Sequence, residues 1–176
     1  MKHNYLYVLL LFFLSGCFSF GDVDKYPDEV DGYKPVYSSK EQINSINTVE
    51  ARVLQKPGKI YTYGRYLFIG EAGKGVHIID NSDIKQPKNI SFIEIPYNND
   101  IAIKGNIMYA DNYGDLVVFD ISNPVDVKLM NRITNALPQN SSQLPPEQGF
   151  FECVDASKGV VVGWERAKLK SPKCRY

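Results

Sequence analysis

The chain has 176 residues, 20 basic and 20 acidic side chains, and a formal net charge of zero. That balance excludes the broad positive field of a nucleic-acid-binding surface, so no nucleic-acid partner is expected. The length suits one domain with a real core.

The N-terminus opens with Lys2 and His3, followed by an apolar run from Tyr5 to Leu14. The run is too short to span a membrane as a helix, but it fits the apolar region of a signal peptide. Directly behind it stands Leu14-Ser15-Gly16-Cys17, the pattern of a bacterial lipobox. On this reading residues 1–16 are a lipoprotein signal peptide, cleavage precedes Cys17, and Cys17 is the lipid-attachment residue. Two or more acyl chains anchor stably where one does not. The expected location is the cell envelope, lipid-anchored at the outer membrane, with the periplasmic or surface face undecided. The alternative is a plain signal peptide with an ordinary cysteine.

Residues 17–50 place Asp22, Asp24, Asp28, Glu29 and Asp31 among Gly, Pro and Ser, with few apolar positions in any regular period. That composition predicts an acidic, flexible tether behind the lipidated cysteine. Its acidic cluster could also serve as a signal for export to the cell surface.

From residue 51 to 176 the pattern changes to short runs rich in Val, Ile, Tyr and Phe, separated by Gly, Asn and Pro, which predicts consecutive strands. One unit covers residues 58–96 (IYTY, YLFIG, VHIID, KNISFIEI) and a second covers 100–134 (DIAIK, IMYAD, DLVVFD, VDVKLMNRI). Gly64 and Gly105 are 41 apart, Asp80 and Asp120 are 40 apart, and length changes fall in turns. Four strands in about 40 residues fit a β-propeller blade. A partial third unit, 149–165, reads as a hairpin of FFECVD and GVVVGW joined by ASK. The expected fold is all-β: two to three blades of four antiparallel strands in an incomplete or open propeller. Unclosed blade edges would leave surfaces through which copies could associate. Cys153 and Cys174 remain for an oxidising compartment, where the favoured reading is a disulfide closing a loop of about 20 residues, worth about 3 kcal/mol. Two unpaired thiols are the alternative.

The segments GRYLFIGEAGKGVHIID and GNIMYADNYGDLVVFDIS resemble LVIVD repeats, which occur in secreted and surface proteins of bacteria and archaea. DLVVFDISNP is the most specific piece, and the resemblance covers about residues 50–165. It implies propeller blades. The lipoprotein signal and the FECVD, KGVVVGWE and PKC elements also resemble longer lipoproteins in which further blades follow, so the expectation is the N-terminal part of such a protein. Closure with partner chains and an open β stack are the alternatives.

Motifs for chemistry are sparse. Gly73-Lys74 lacks the remainder of a phosphate loop, and His77 is the only histidine after the signal, so neither a multi-histidine metal site nor a conventional nucleophile triad can be assembled. His77 is expected to be a strand residue with a local partner. Asp111, Asn112 and Asp115 offer only a fragment of a calcium loop. Glu71, Asp111, Asp115, Glu152 and Asp155 flank turns, where carboxylates commonly cap backbone N–H groups. Asp80 and Asp120 should do the same after the third strand of each unit. No catalytic residue, metal or cofactor is expected. The favoured function is a non-catalytic binding or protein-interaction module whose ligand, a protein or a glycan, would meet Tyr97 and Tyr113, aromatic residues in turns beside Asn and Gly. A glycan- or peptidoglycan-acting enzyme with carboxylates on a propeller rim, and a truncated remnant without activity of its own, are the competing readings.

Overall fold

The computed structural model describes residues 26–138 and 144–176, so the signal peptide and Cys17 lie outside the described residues. The segment read as a tether is folded from residue 29: β1 (Glu29–Ser38), α1 (Lys40–Asn44) and β2 (Asn47–Glu50). In β1 Tyr33, Pro35 and Ser38 are buried, while Asp31, Lys34 and Val36 are exposed. Period two is therefore present, but its inward face is built from Tyr, Pro and Ser instead of aliphatic residues, which disguises it. Helix α1 begins with a capping box: Ser39 accepts from the Gln42 backbone N–H, and the Gln42 side chain accepts from that of Ser39.

The first unit follows as β3 (Pro57–Tyr63), β4 (Tyr66–Glu71), β5 (Gly75–Asp80) and β6 (Lys88–Glu94). These pair antiparallel in sequence order, and β2 adds to the β6 edge, so the sheet has five strands where the sequence suggested four. The second unit is a four-stranded antiparallel meander of β7 (Ile101–Lys104), β8 (Ile107–Asn112), β9 (Asp115–Asp120) and β10 (Lys128–Ile133). The two sheets bury one core between them, formed by Phe68, Val76, Ile78 and Ile93 from the first against Met108, Ala110, Val117 and Phe119 from the second. In both units the aspartate ending the third strand caps the turn behind it: Asp80 accepts from the backbone and hydroxyl of Ser82, and Asp120 from the backbone N–H of Ser122. These bonds to Ser82 and Ser122 lower both carboxyls below the ordinary aspartate value.

The third sheet corrects the sequence reading. β11 (Phe150–Phe151) and β12 (Val160–Lys170) do not form a hairpin, because β1 lies between them. β1 pairs antiparallel with β12 along its whole length, from Glu29 opposite Lys170 to Ser38 opposite Val160, and meets β11 in parallel only at Tyr33–Phe151. A two-residue strand offers β12 little ladder, whereas β1 offers ten residues. Gly32 permits the close approach, since a Cβ there would strike the Phe150 carbonyl. β13 (Cys174–Arg175) completes the order β12-β1-β11-β13. Cys153 and Cys174 are bonded, with Cα atoms 5.3 Å apart. The three sheets, none of them closed, make an open, propeller-like all-β fold. Among the described residues no helix is long and apolar enough to cross a membrane.

Gly75 shows how tightly the first sheet is set. Its φ is +137°, and a Cβ would collide with the Ile93 carbonyl, whereas Gly105, at φ +58°, has open space around it. Gly75→Ala should cost about 3 kcal/mol, adding backbone strain to collision, and Gly105→Ala about 1 kcal/mol, from strain alone. Urea denaturation of both variants checks the ranking.

Candidate functional site

The turn between β4 and β5 and the turn between β8 and β9 occupy equivalent places in the two units, so Gly73 and Gly114 stand at the same end of their sheets. With Tyr97, Tyr113 and Val162 they line a cavity of about 500 Å³, bordered by Asp100 and Asp111 and by Leu137 and Pro138. All three sheets or their loops contribute to it. The rings of Tyr97 and Tyr113 meet edge to face with centroids 5.7 Å apart. Both residues have positive φ, +60° and +50°, an uncommon conformation for side chains of this size.

A dense hydrogen-bond set holds these backbones in place. The Tyr97 N–H donates to the Gly73 carbonyl at 2.9 Å, and the Gly73 N–H donates to the Asn98 carbonyl at 2.6 Å. Asp111 Oδ1 accepts from the backbone N–H groups of Asn99 and Asp100 and from the Asn98 side chain, each at 2.8 Å. On the other side the Tyr113 hydroxyl donates to the Val161 carbonyl in β12, which ties the second sheet to the third. Asn112, fully buried behind Tyr113, donates to the carbonyls of Pro96 and Ile43 and accepts from Arg132. Arg132 also pairs with Asp115 at 2.8 Å.

The candidate calcium residues are engaged by protein groups instead: Asp111 caps the 97–100 loop, Asn112 ties loops together, and Asn112 and Asp115 share Arg132. Among the described residues no group of three or more His, Cys, Asp or Glu side chains gathers as a metal site. Asp155 caps a short 3-10 turn through Ser157, and Glu152 pairs with Lys158 at 3.5 Å. Cys153 and Cys174 lie at the β11–β13 end, outside the cavity lining. Sequence reasoning singled out Tyr97 and Tyr113, and the structure brings them together. It did not single out Asn98, Asn99, Leu137, Pro138 or Val162. The asparagine run after Pro96 was the available signal for the first two, since Asn favours turns and positive φ nearby.

A second polar cluster sits away from the cavity, inside the first sheet. Glu71 and His77 are 1% and 0% exposed. His77 Nδ1 accepts from the Asn89 amide at 3.1 Å, which assigns the ring proton to Nε2 and directs it to Glu71 Oε2 at 2.8 Å. Arg52 donates to the same oxygen at 3.0 Å while its guanidinium lies 3.8 Å from the Phe92 ring centre. His77 is a strand residue with a local partner, and it is sealed from solvent.

Residues 57–90 and 97–135 match the LVIVD repeat. The matched segments coincide with the two meanders on whose shared end the cavity opens. No curated protein and no solved structure matches the chain. LVIVD repeats suggest a repeat-based binding or interaction module.

Burial is the largest influence on Glu71 and pushes its carboxyl up, but the His77 N–H and the Arg52 guanidinium together outweigh it and hold the group below the ordinary glutamate value. A depressed folded value gives stability that is present above the unfolded value and lost as pH falls through the folded one. Glu71→Gln should therefore cost about 2 kcal/mol at neutral pH, and the gap from wild type should close below about pH 4. Asp80, Asp120 and Asp155 titrate in both proteins and cancel in the difference. Denaturation midpoints across pH 3–7 measure it.

Proposed function

We propose that the chain is a lipid-anchored binding module of the cell envelope, with its recognition surface at the Tyr97–Tyr113 cavity. The observation that carries this reading is the pair of rings, set on strained backbones in a cleft of about 500 Å³ where equivalent turns of the two repeats meet the third sheet. Concave, partly apolar sites with a few fixed polar groups are the usual form of ligand pockets. Tyrosine suits such a surface, because its ring stacks on sugar or peptide; the Tyr113 ring is fixed for this by its hydroxyl on the Val161 carbonyl. The carboxylate of Asp111 is spent on capping the loop, so the reading assigns this cleft to recognition without a chemical step. A glycan or a protein segment is the proposed ligand.

The anchor in this reading is Cys17, twelve residues before Glu29. An extended chain spans at most about 3.5 Å per residue, so β1 is held within about 40 Å of the lipid. That is a shorter reach than a tether running to residue 50 would give, and it keeps the cavity close to the membrane that carries it. The expected address is the outer membrane.

Two measurements test the proposal. Labelled palmitate should enter the wild-type protein in cells and not Cys17→Ser; labelling of both overturns the anchor. In a glycan-array and peptide-array screen, the ligands retained by wild type should be lost by at least tenfold in Tyr97→Ala combined with Tyr113→Ala. Unchanged binding with a native circular-dichroism spectrum removes the cavity from recognition.

A further inference from the structure

The lining of the Tyr97–Tyr113 cleft carries charge of one sign. Asp100 and Asp111 border it, and among the described residues no lysine, arginine or histidine lines it. The cations of neighbouring elements are held elsewhere: Lys59 by Asp100, Lys74 by Glu71 at 4.0 Å, and Arg132 by Asp115. The two carboxylates are engaged unequally. Asp100 and Lys59 form a mostly exposed pair, which water screens. Capping the 97–100 loop occupies Oδ1 of Asp111, and its three donors there, two backbone N–H groups and the Asn98 amide, are all uncharged. Asp111 Oδ2 receives the Asn99 side-chain amide at 3.3 Å, and that amide is shared with the Tyr97 carbonyl at 3.1 Å. One carboxylate oxygen in the cleft lining thus keeps acceptor capacity and a negative charge that no cation of the described residues pairs.

The remaining lining suits the other parts of a cationic side chain. Tyrosine rings attract cations through their faces, and Leu137, Pro138 and Val162 offer an apolar wall along which a methylene stem can lie. A neutral sugar, by contrast, would displace water from Asp111 without compensating its charge. We infer that the cleft recognises an arginine or lysine side chain carried by a protein segment. This rests on the cavity being the recognition surface, and it chooses between the two ligand classes proposed for it. Arginine fits best, because its planar guanidinium stacks on an aromatic ring and donates to a carboxylate at the same time. Lys59 acts as a competitor built into the chain: it neutralises Asp100 at the border without lining the cleft, and so weakens the pull on an incoming cation.

The test uses the nitrogen-15-labelled full chain carrying Cys17→Ser, in mild detergent, by amide NMR titration. The probes are N-acetyl-arginine methylamide, its neutral citrulline counterpart, and the N-acetylglucosamine trimer. The arginine probe should shift the Gly73 and Gly114 amides, with saturation at about 1–10 mM, and leave those of Gly64 and Gly105 at the far hairpins unmoved. The citrulline probe, which differs only in charge, should bind about tenfold more weakly. Asp111→Asn, which keeps an acceptor for the loop, should lose a similar factor, and Lys59→Met, which frees Asp100, should tighten binding about threefold. If Asp111→Asn loses its native circular-dichroism spectrum, the citrulline comparison and Lys59→Met decide. Equal binding of arginine and citrulline probes, or binding that Lys59→Met leaves unchanged or weakens, overturns the inference. Shifts of the same two amides by the sugar and not by arginine overturn it while leaving the cavity as the recognition surface; no shift by any probe overturns it and counts against that reading too.

Discussion

The pairing of β1 with β12 is the constraint on which the rest of the arrangement depends. It joins Glu29 to Lys170 and Ser38 to Val160, near the two ends of the described chain. Without β1 the third sheet would consist of β12 alone and the two-residue pair of β11 and β13, too little for a stable ladder. Contacts of such long sequence separation carry a high loop-closure cost, offset here by ten residue pairs, while the disulfide closes a separate, local loop from Cys153 to Cys174. The consequence reaches the cavity directly. Val161 accepts the Tyr113 hydroxyl and Val162 lines the cleft, so the strand that begins the fold positions the wall opposite the two repeats.

Inside the repeats, one buried polar position recurs with different chemistry. Glu71 ends β4 and Asn112 ends β8, 41 residues apart, and both are sealed from water. Each is met by an arginine, Arg52 from the segment ahead of the first unit and Arg132 from β10 of the second. Both units thus satisfy a polar group at this position, with partners from different places in the chain. A buried carboxylate needs charge nearby, and Glu71 obtains it from Arg52 with a hydrogen bond from His77. An amide needs only donors and acceptors, and Asn112 uses its two to bind α1 and the loop that carries Tyr97. The same position is an electrostatic knot in one unit and a mechanical tie for the cavity in the other.

The repeats were legible because their signals are local: period-two strands, glycine turns and aspartates that cap the turns behind them. The third sheet was not, because its pairing is decided by a competition across the chain. FFECVD and GVVVGW are strand-forming and close together, which suggests a hairpin, and only β1 as a rival explains why they separate. β1 itself was hidden by composition, since Asp31 and Lys34 face outward and Pro35 argues against a central strand. The short β11 touches β1 only at Tyr33, so Pro35 lies past that ladder. For the cavity, Tyr97 and Tyr113 could be singled out as turn aromatics, but their meeting depends on how the two sheets pack, which no spacing encodes. Val162 could not be found at all without β1 in place.

The backbone at the two tyrosines carries the last step of the argument. A left-handed conformation costs roughly 1–2 kcal/mol for a side chain with a Cβ, and glycine would avoid that cost at either position. The surrounding structure over-determines the first: Tyr97 and Asn98 are locked to Gly73, the Asp111 carboxylate gathers three donors from the same loop, and Asn112 grips the carbonyl of Pro96 just ahead of it, while Tyr113 is tied through its hydroxyl to the Val161 carbonyl. Stability alone does not call for tyrosine there, because neither ring is part of the inter-sheet core. What the arrangement secures is the placement of two aromatic rings in the lining of one cleft, Tyr97 through its backbone and Tyr113 through its hydroxyl on Val161. Strain maintained by surrounding contacts, at residues outside the inter-sheet core, is the pattern expected of a site shaped for a ligand.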